Sequence, residues 1–187
     1  MKAALVYTST TPELIELVER EVRKNIGEEA ELISLQNPEI LARVREAGYV
    51  TPTAAAELIS MYMDAVRQGA DAILNICSSV GEVADSAQAA AAYIGVPIVR
   101  TDEEMCREAV RKGSRIAVLA TLSTTLAPTR NTVIRVARQM GRHVETVDGL
   151  IEGAFGLNQD QFRRRLLDKA AEVKDKAQRI LDAAKES

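Results

Sequence analysis

The chain has 187 residues, of which 47% are hydrophobic, and it carries a formal net charge of −3 at pH 7. This length and apolar content predict a globular protein with one domain or two small lobes. The 3% aromatic content, the lack of Trp and the mixed charges argue against nucleic-acid binding, and no apolar run approaches the roughly 20 residues of a membrane-spanning helix.

Strand-like and helix-like segments alternate along the chain, which is typical of an α/β protein with a parallel sheet. Short apolar runs predict strands at residues 3–8, 31–35, 72–76, 96–100, 116–120 and 143–147. Residues 150–155 either extend the last strand or form a loop. Apolar residues at helical spacing predict helices at residues 12–26, 38–46, 52–68, 83–94, 102–111, 128–140 and 160–187.

The two halves of the chain weakly repeat a strand, a hydroxyl-rich loop and a helix. This repetition fits two similar lobes, at residues 1–100 and 101–187, the second of which ends in a long charged helix. That helix could cover a sheet face, form a dimer contact or be a solvated surface helix, so a homo-oligomer is possible. Its apolar stripe consists of Phe162, Leu166, Leu167, Ala170, Val173, Ala177, Ile180 and Leu181.

The N-terminal segment and the cysteine content favour a cytoplasmic location. The first apolar run ends at Thr8, which is too early for a secretory signal peptide. The two cysteines, Cys77 and Cys106, are therefore expected to be free thiols in a reducing compartment.

The most informative motif follows the third predicted strand, where residues 77–82 read Cys-Ser-Ser-Val-Gly-Glu. In open α/β sheets, ligands bind at the carboxyl ends of the strands, so Cys77 lies where chemistry is expected. The N–H groups that open the next helix would favour its thiolate form. The position also suits a small buried apolar residue, because free cysteine is among the most buried residue types. Both interpretations remain open.

Three loops after predicted strands are rich in small hydroxyl side chains, at residues 8–10, 77–79 and 121–125. Such hydroxyls, with the N–H groups of a following helix, suit a carboxylate, although Ser and Thr are also common helix caps. The chain has neither a Gly-rich phosphate loop nor a cluster with metal-ligand spacing. We therefore expect no cofactor and no metal.

The sequence contains ILNICSSVGEVAD at residues 73–85, GVPIVRTDEEM at 95–105, RIAVLATLSTT at 115–125 and VDGLIEGAF at 147–155. Together these segments resemble the aspartate/glutamate/hydantoin racemase superfamily, and the Cys-Ser-Ser-Val-Gly-Glu signature resembles one branch of it. The resemblance covers about the first 155 residues.

This resemblance implies an α/β fold with flavodoxin-like lobes and cofactor-independent chemistry on a small carboxylate. Racemases of the superfamily use two cysteines, one from each lobe, as acid and base on opposite faces of a carbon. Cys77 matches the first of these cysteines. The positions that match substrate-binding residues are Ser9, Ser78, Ser79, Thr121, Ser123 and Thr124.

The C-terminal region departs from the superfamily pattern. A second cysteine is expected near the end of a further strand, whereas residues 177–187 read AQRILDAAKES and are helix-forming. The second lobe is therefore predicted to lack its C-terminal part. Cys106 lies within a predicted helix and is expected to be structural, and His143 is expected at the surface. One-cysteine relatives include arylmalonate decarboxylase and maleate isomerase types, although the former keeps the second cysteine rather than the first.

Three interpretations follow from these observations. The first is an enzyme with isomerase or lyase chemistry on a small carboxylate, in which Cys77 is the base or nucleophile. The second is a non-catalytic carboxylate-binding protein of the same fold. The third is a shortened or redesigned derivative in which the last helix replaces missing strands. In each case the expected partner is a small carboxylate, with no nucleic acid and no membrane.

Overall fold

A computed structural model describes residues 1–185 and confirms the predicted α/β class with parallel sheets. The chain divides into two compact units, unit 1 at Met1–Asp102 and unit 2 from Glu103 onward. None of the helices within the described residues combines the length and hydropathy needed to cross a membrane.

Unit 1 is a four-stranded parallel sheet with the strand order β2-β1-β3-β4, the order that begins a flavodoxin-like doubly wound sheet. Its strands are β1 (Lys2–Tyr7), β2 (Glu31–Gln36), β3 (Ala72–Ile76) and β4 (Ile98–Arg100). Its helices are α1 (Pro12–Ile26), α2 (Pro38–Ala47), α3 (Pro52–Arg67) and α4 (Gly81–Ile94), the last preceded by a 3-10 turn at Ser78–Val80.

The first three helices begin with the same local signal, a capping side chain followed by proline. Thr11, Asn37 and Thr51 each accept a hydrogen bond from a backbone N–H of the first helical turn, at 3.2, 3.1 and 3.2 Å. Proline at the first helical position loses no intrahelical bond, because that N–H has no acceptor within the helix. These caps explain why the starts of α1, α2 and α3 agree with the sequence prediction.

The core of unit 1 lies on the face of the sheet that α2, α3 and α4 cover. Alternate residues of each strand point to this face, so Ala4 and Val6 of β1 share it with Ile73 of β3 and Ile98 of β4. The same alternation places the side chains of Asn75 and Arg100 on this face, although both are polar. These two positions are the first indication of a polar cluster at the carboxyl end of the sheet.

Unit 2 contains two parallel strands, β5 (Arg115–Ala120) and β6 (Glu145–Leu150), within the described residues. Its helices are α5 (Glu103–Lys112), α6 (Ser123–Gln139) and α7 (Gln159–Lys185). Residues of α5, α6 and β5 form its core, whereas α7 packs against β6 at Gly149. A Cβ atom there would lie 2.5 Å from Leu119 Cδ2 and 2.8 Å from Val173 Cγ2, so the close approach of α7 requires glycine.

Two of the predicted elements in unit 2 were placed wrongly. The sequence prediction started a helix at Pro128, but α6 begins at Ser123 and Pro128 lies inside it. Proline within a helix removes one intrahelical hydrogen bond and crowds the carbonyl four residues earlier, and the Pro128 side chain is buried in the unit. The final strand runs from Glu145 to Leu150, which leaves His143 outside it and exposed.

The predicted apolar stripe of α7 is only partly buried. Val173 is buried and Phe162 and Leu166 are half-buried, whereas Leu167 is 61% exposed and Ala170 is also exposed. The side chains of the other predicted stripe residues lie outside the described part of the chain: Ala177, Ile180 and Leu181.

Candidate functional site

Cys77 lies directly after β3 and before the 3-10 turn that leads into α4. Its backbone is extended, with φ −167° and ψ 114°, and its side chain is half-buried. Ser78 is half-buried as well, whereas Ser79 is only 3% exposed. The thiol therefore stands where a strand ends and a helical segment begins, as the motif predicts.

The loop after β1 lies beside Cys77 at the same edge of the sheet. Tyr7 pairs with Ile76 in the parallel register, so Thr8 and Ser9 continue β1 next to Cys77 and Ser78. Ser9 is half-buried. Thr8 is fully buried, and its hydroxyl finds no hydrogen-bond partner among the described residues. The two loops form a hydroxyl-rich edge around one thiol.

A buried hydrogen-bond chain lies beneath Cys77. The Tyr62 hydroxyl on α3 donates to Asn75 Oδ1 at 2.9 Å, and Asn75 Nδ2 donates to the Cys77 carbonyl at 3.0 Å. Tyr62 is fully buried and Asn75 is 1% exposed. Burial, together with the electrostatic interaction with the nearby Cys77, raises the pKa of the Tyr62 hydroxyl, which keeps this group protonated and able to donate.

A buried ionic cluster joins the end of β4 to the first turns of α4. The Arg100 side chain, 1% exposed, donates to both carboxylate oxygens of Asp102 at 2.9 and 2.8 Å and to Asp85 at 2.7 Å. Burial alone would lower the pKa of Arg100, but the hydrogen bonds and charges of the two carboxylates outweigh burial and raise it. Gly81 lies against the guanidinium, since a Cβ atom there would be 2.3 Å from Arg100 Cζ.

In unit 2, the predicted site residues lie at the carboxyl end of β5. Thr121 follows the strand directly, while Ser123 and Thr124 belong to the first turn of α6 rather than to a loop, which corrects the sequence prediction. Thr121 and Thr124 are half-buried and Ser123 is exposed.

The structure thus brings the predicted site residues together in two sets, one in each unit. The unit 1 set is Ser9, Cys77, Ser78 and Ser79, and the unit 2 set is Thr121, Ser123 and Thr124. Cys106 is 1% exposed within the unit 2 core. No group of three or more His, Cys, Asp or Glu side chains in the described part of the chain could hold a metal ion.

The sequence interpretation missed the polar residues beneath the site. Asn75 interrupts an otherwise apolar strand at a position that faces the core, and Arg100 occupies the equivalent position of β4, opposite Asn75. A polar residue at a core-facing position of a strand could have been recognised from the sequence in both cases. Tyr62 lies on another element and offered no such signal.

A sequence model of the Asp/Glu/hydantoin racemase family matches residues 4–181. The chain therefore belongs to the Asp/Glu/hydantoin racemase family. The match extends into α7, beyond the 155 residues over which the resemblance was recognised in the sequence.

Among curated proteins, none matches the chain at a significant level. Solved structures with some likeness include a periplasmic sugar-binding protein of an ABC sugar transporter from Legionella pneumophila, with 12% identity, a TM-score of 0.37 and coverage of 80% of this chain and 61% of that one. Another is a leucine-, isoleucine-, valine-, threonine- and alanine-binding protein from Brucella ovis, with 17% identity, a TM-score of 0.34 and coverage of 79% and 46%. This chain thus spans less than two thirds of either structure. With TM-scores this low, the likeness supports no inference about this chain.

Proposed function

We propose that the chain is a cofactor-independent cytoplasmic enzyme that acts on the carbon beside the carboxylate of a small substrate, with Cys77 as base or nucleophile. The observation that carries this proposal is the position of Cys77, half-buried in one hydroxyl-rich loop and beside another at the carboxyl edge of a parallel sheet. Family membership supports the same assignment.

The hydroxyl-rich loops are proposed to hold the substrate carboxylate. Ser9 and Ser78 are half-buried beside Cys77, and the N–H groups that open a helical segment attract anions. We assign the same role to Ser79 and to the unit 2 set, Thr121, Ser123 and Thr124, because these positions match substrate-binding residues of the family.

The single accessible thiol favours isomerase or lyase chemistry over racemisation with two cysteines. As a base, the Cys77 thiolate would take a proton from the carbon beside the carboxylate, and the electron pair would delocalise into that carboxylate. Return of a proton to the opposite face needs a second group within hydrogen-bond reach. Cys106 cannot be that group, because it is buried in the core of unit 2.

A panel of dicarboxylates, amino acids and hydantoins tests this proposal by substrate turnover. Replacement of Cys77 by Ala or Ser should abolish turnover while the far-UV spectrum and melting temperature stay close to those of the wild type. Cys106→Ala is the matched control and should keep the wild-type rate. An unchanged rate in Cys77→Ala would refute the assignment.

A second candidate function is carboxylate binding without turnover. It is favoured by the same burial of Cys106, which leaves one thiol available to a ligand. Calorimetric binding of a dicarboxylate, with no product formed across the panel, would support this alternative over the enzyme.

A further inference from the structure

Buried polar side chains are concentrated under the Cys77 loop. Tyr62 is fully buried, and Asn75 is buried within a strand whose other residues are apolar. A buried polar group costs free energy unless its hydrogen bonds are satisfied, so its presence in a core position calls for a local role.

The hydrogen bonds of this pair have only one consistent direction. The Tyr62 hydroxyl donates to Asn75 Oδ1 at 2.9 Å. The amide nitrogen of Asn75 must then face the Cys77 carbonyl, to which it donates at 3.0 Å. A reversed amide would place Asn75 Oδ1 against the Cys77 carbonyl oxygen, so that carbonyl selects the orientation of the amide, and Tyr62 holds the amide there by donating to Asn75 Oδ1.

The orientation of the Cys77 carbonyl determines that of the next N–H group. A trans peptide is planar, with its C=O and N–H bonds pointing in opposite directions. Because Asn75 donates to the Cys77 carbonyl, the Ser78 N–H on the other side of this peptide points away from the buried pair.

We propose that Tyr62 and Asn75 are positioning residues, which orient the Cys77–Ser78 peptide so that the Ser78 N–H can bind a substrate carboxylate beside the Cys77 thiol. This inference rests on the proposed function, and it identifies which buried residues prepare that site. Neither side chain needs to touch the substrate.

Alkylation of Cys77 by two reagents that differ in charge tests this proposal. Iodoacetate carries a carboxylate and iodoacetamide carries a neutral amide in its place. The alkylation rate of Cys77 with each reagent is followed by mass spectrometry in the full chain. The iodoacetate rate is divided by the iodoacetamide rate, and this ratio is then divided by the same ratio for the urea-unfolded chain to give a normalised ratio. A correctly oriented Ser78 N–H makes this normalised ratio exceed one in the wild type.

Tyr62→Phe should lower the normalised ratio about fivefold, the effect of losing the one hydrogen bond that holds the Asn75 amide from α3. Tyr7→Phe is the matched control, because Tyr7 is also fully buried but its hydroxyl has no partner among the described residues. It should leave the ratio unchanged. Asn75→Leu, which removes the donor itself, provides a second variant if Tyr62→Phe fails to fold.

The possible outcomes separate this inference from the proposed function. General loosening of the loop would change both alkylation rates together and leave the ratio intact, which would overturn the positioning role. A normalised ratio above one in the wild type that persists in Tyr62→Phe and Asn75→Leu would overturn the positioning role and leave the proposed function standing. A normalised ratio of one in the wild type would refute carboxylate binding at this edge, and with it the proposed function.

Discussion

The two cysteines of the chain occupy opposite environments. Cys77 is half-buried at the start of a helical segment, whereas Cys106 is 1% exposed on α5 within the unit 2 core. Reactivity of a thiol depends on solvent access and on nearby positive potential, and only Cys77 has the access.

We therefore expect Cys77 to react at least tenfold faster than Cys106 with iodoacetamide near pH 7, a factor that corresponds to roughly 1.4 kcal/mol. Partial labelling followed by mass spectrometry gives the order directly, and the urea-unfolded chain, in which both thiols are accessible, is the control. Labelling of Cys106 first would show that the site is assigned to the wrong cysteine.

At single residues, the sequence prediction succeeded where the arrangement depends only on neighbouring residues in the chain. The position of Cys77 after a buried strand follows from the apolar run of residues 72–76 and the polar segment after it. The hydrogen bond from Tyr62 could not be predicted, because it joins α3 to β3 and depends on how the helix packs on the sheet.

At the scale of secondary-structure elements, Gly81 allows α4 to approach the end of β4. Its φ of −60° is open to any residue, so the need for glycine there is steric rather than conformational. The Arg100 guanidinium against it is held by Asp85 and Asp102 and cannot move away without breaking these ion pairs.

Gly81→Ala should therefore lower the free energy of unfolding by about 3 kcal/mol, through overpacking and a disturbed ion pair. Gly113→Ala is the control, because a Cβ there would meet its nearest neighbour, the Arg115 carbonyl oxygen, at 3.9 Å. Urea denaturation measures both variants. Equal stability of the two would contradict the close approach described for Gly81.

Glu103 joins two helices of unit 2. Its carboxylate accepts hydrogen bonds from Arg107 of α5 at 2.6 Å and from Arg135 of α6 at 3.0 Å. Burial alone would raise the pKa of Glu103, but these arginines outweigh it and hold the pKa below its ordinary value of 4.5. A carboxyl group with a lowered folded-state pKa stabilises the folded state above its unfolded pKa, and this contribution is lost as the pH falls through the folded pKa.

Glu103→Gln should thus be less stable than the wild type at pH 7, and the difference should shrink as the pH falls below 4.5. The free energy of unfolding, measured by urea denaturation across this range, checks the prediction. Glu46→Gln, at an exposed position on α2, is the control for a general loss of negative charge. A stability difference that stays constant from pH 7 into the acid range would contradict it.

Element boundaries were predictable where caps mark them and not elsewhere. Thr11-Pro12 and Thr51-Pro52 combine an N-cap with proline, and both helices begin where expected. At Pro128, proline wrongly predicted the start of a helix. The helix α6 starts at Ser123, and its N-cap residue Leu122 makes no capping side-chain hydrogen bond. Proline indicates a helix start only together with a cap.

At the scale of the whole molecule, the alternation of strands and helices was enough to predict the α/β class and the parallel pairing. The strand order and the register additionally depend on which faces are buried, and they place Ser9 beside Cys77. The family match over residues 4–181 includes most of α7, which the sequence interpretation treated as a departure from the family. The helical prediction for this segment is confirmed through Lys185.

The proposed reaction relies on one thiol, Cys77, which acts on the carbon beside a small carboxylate. A single base removes and returns a proton on one face only, whereas racemisation requires groups on both faces. The number of enantiomers that exchange hydrogen with solvent therefore reports the number of bases.

Incorporation of solvent deuterium at the α-carbon, followed by NMR with each enantiomer of aspartate and glutamate in D₂O, measures this most directly. We expect exchange in at most one enantiomer of each pair, little or no racemisation, and loss of any exchange in Cys77→Ser. Rapid exchange from both enantiomers that is lost in Cys77→Ser would show that a second base exists and would contradict this expectation.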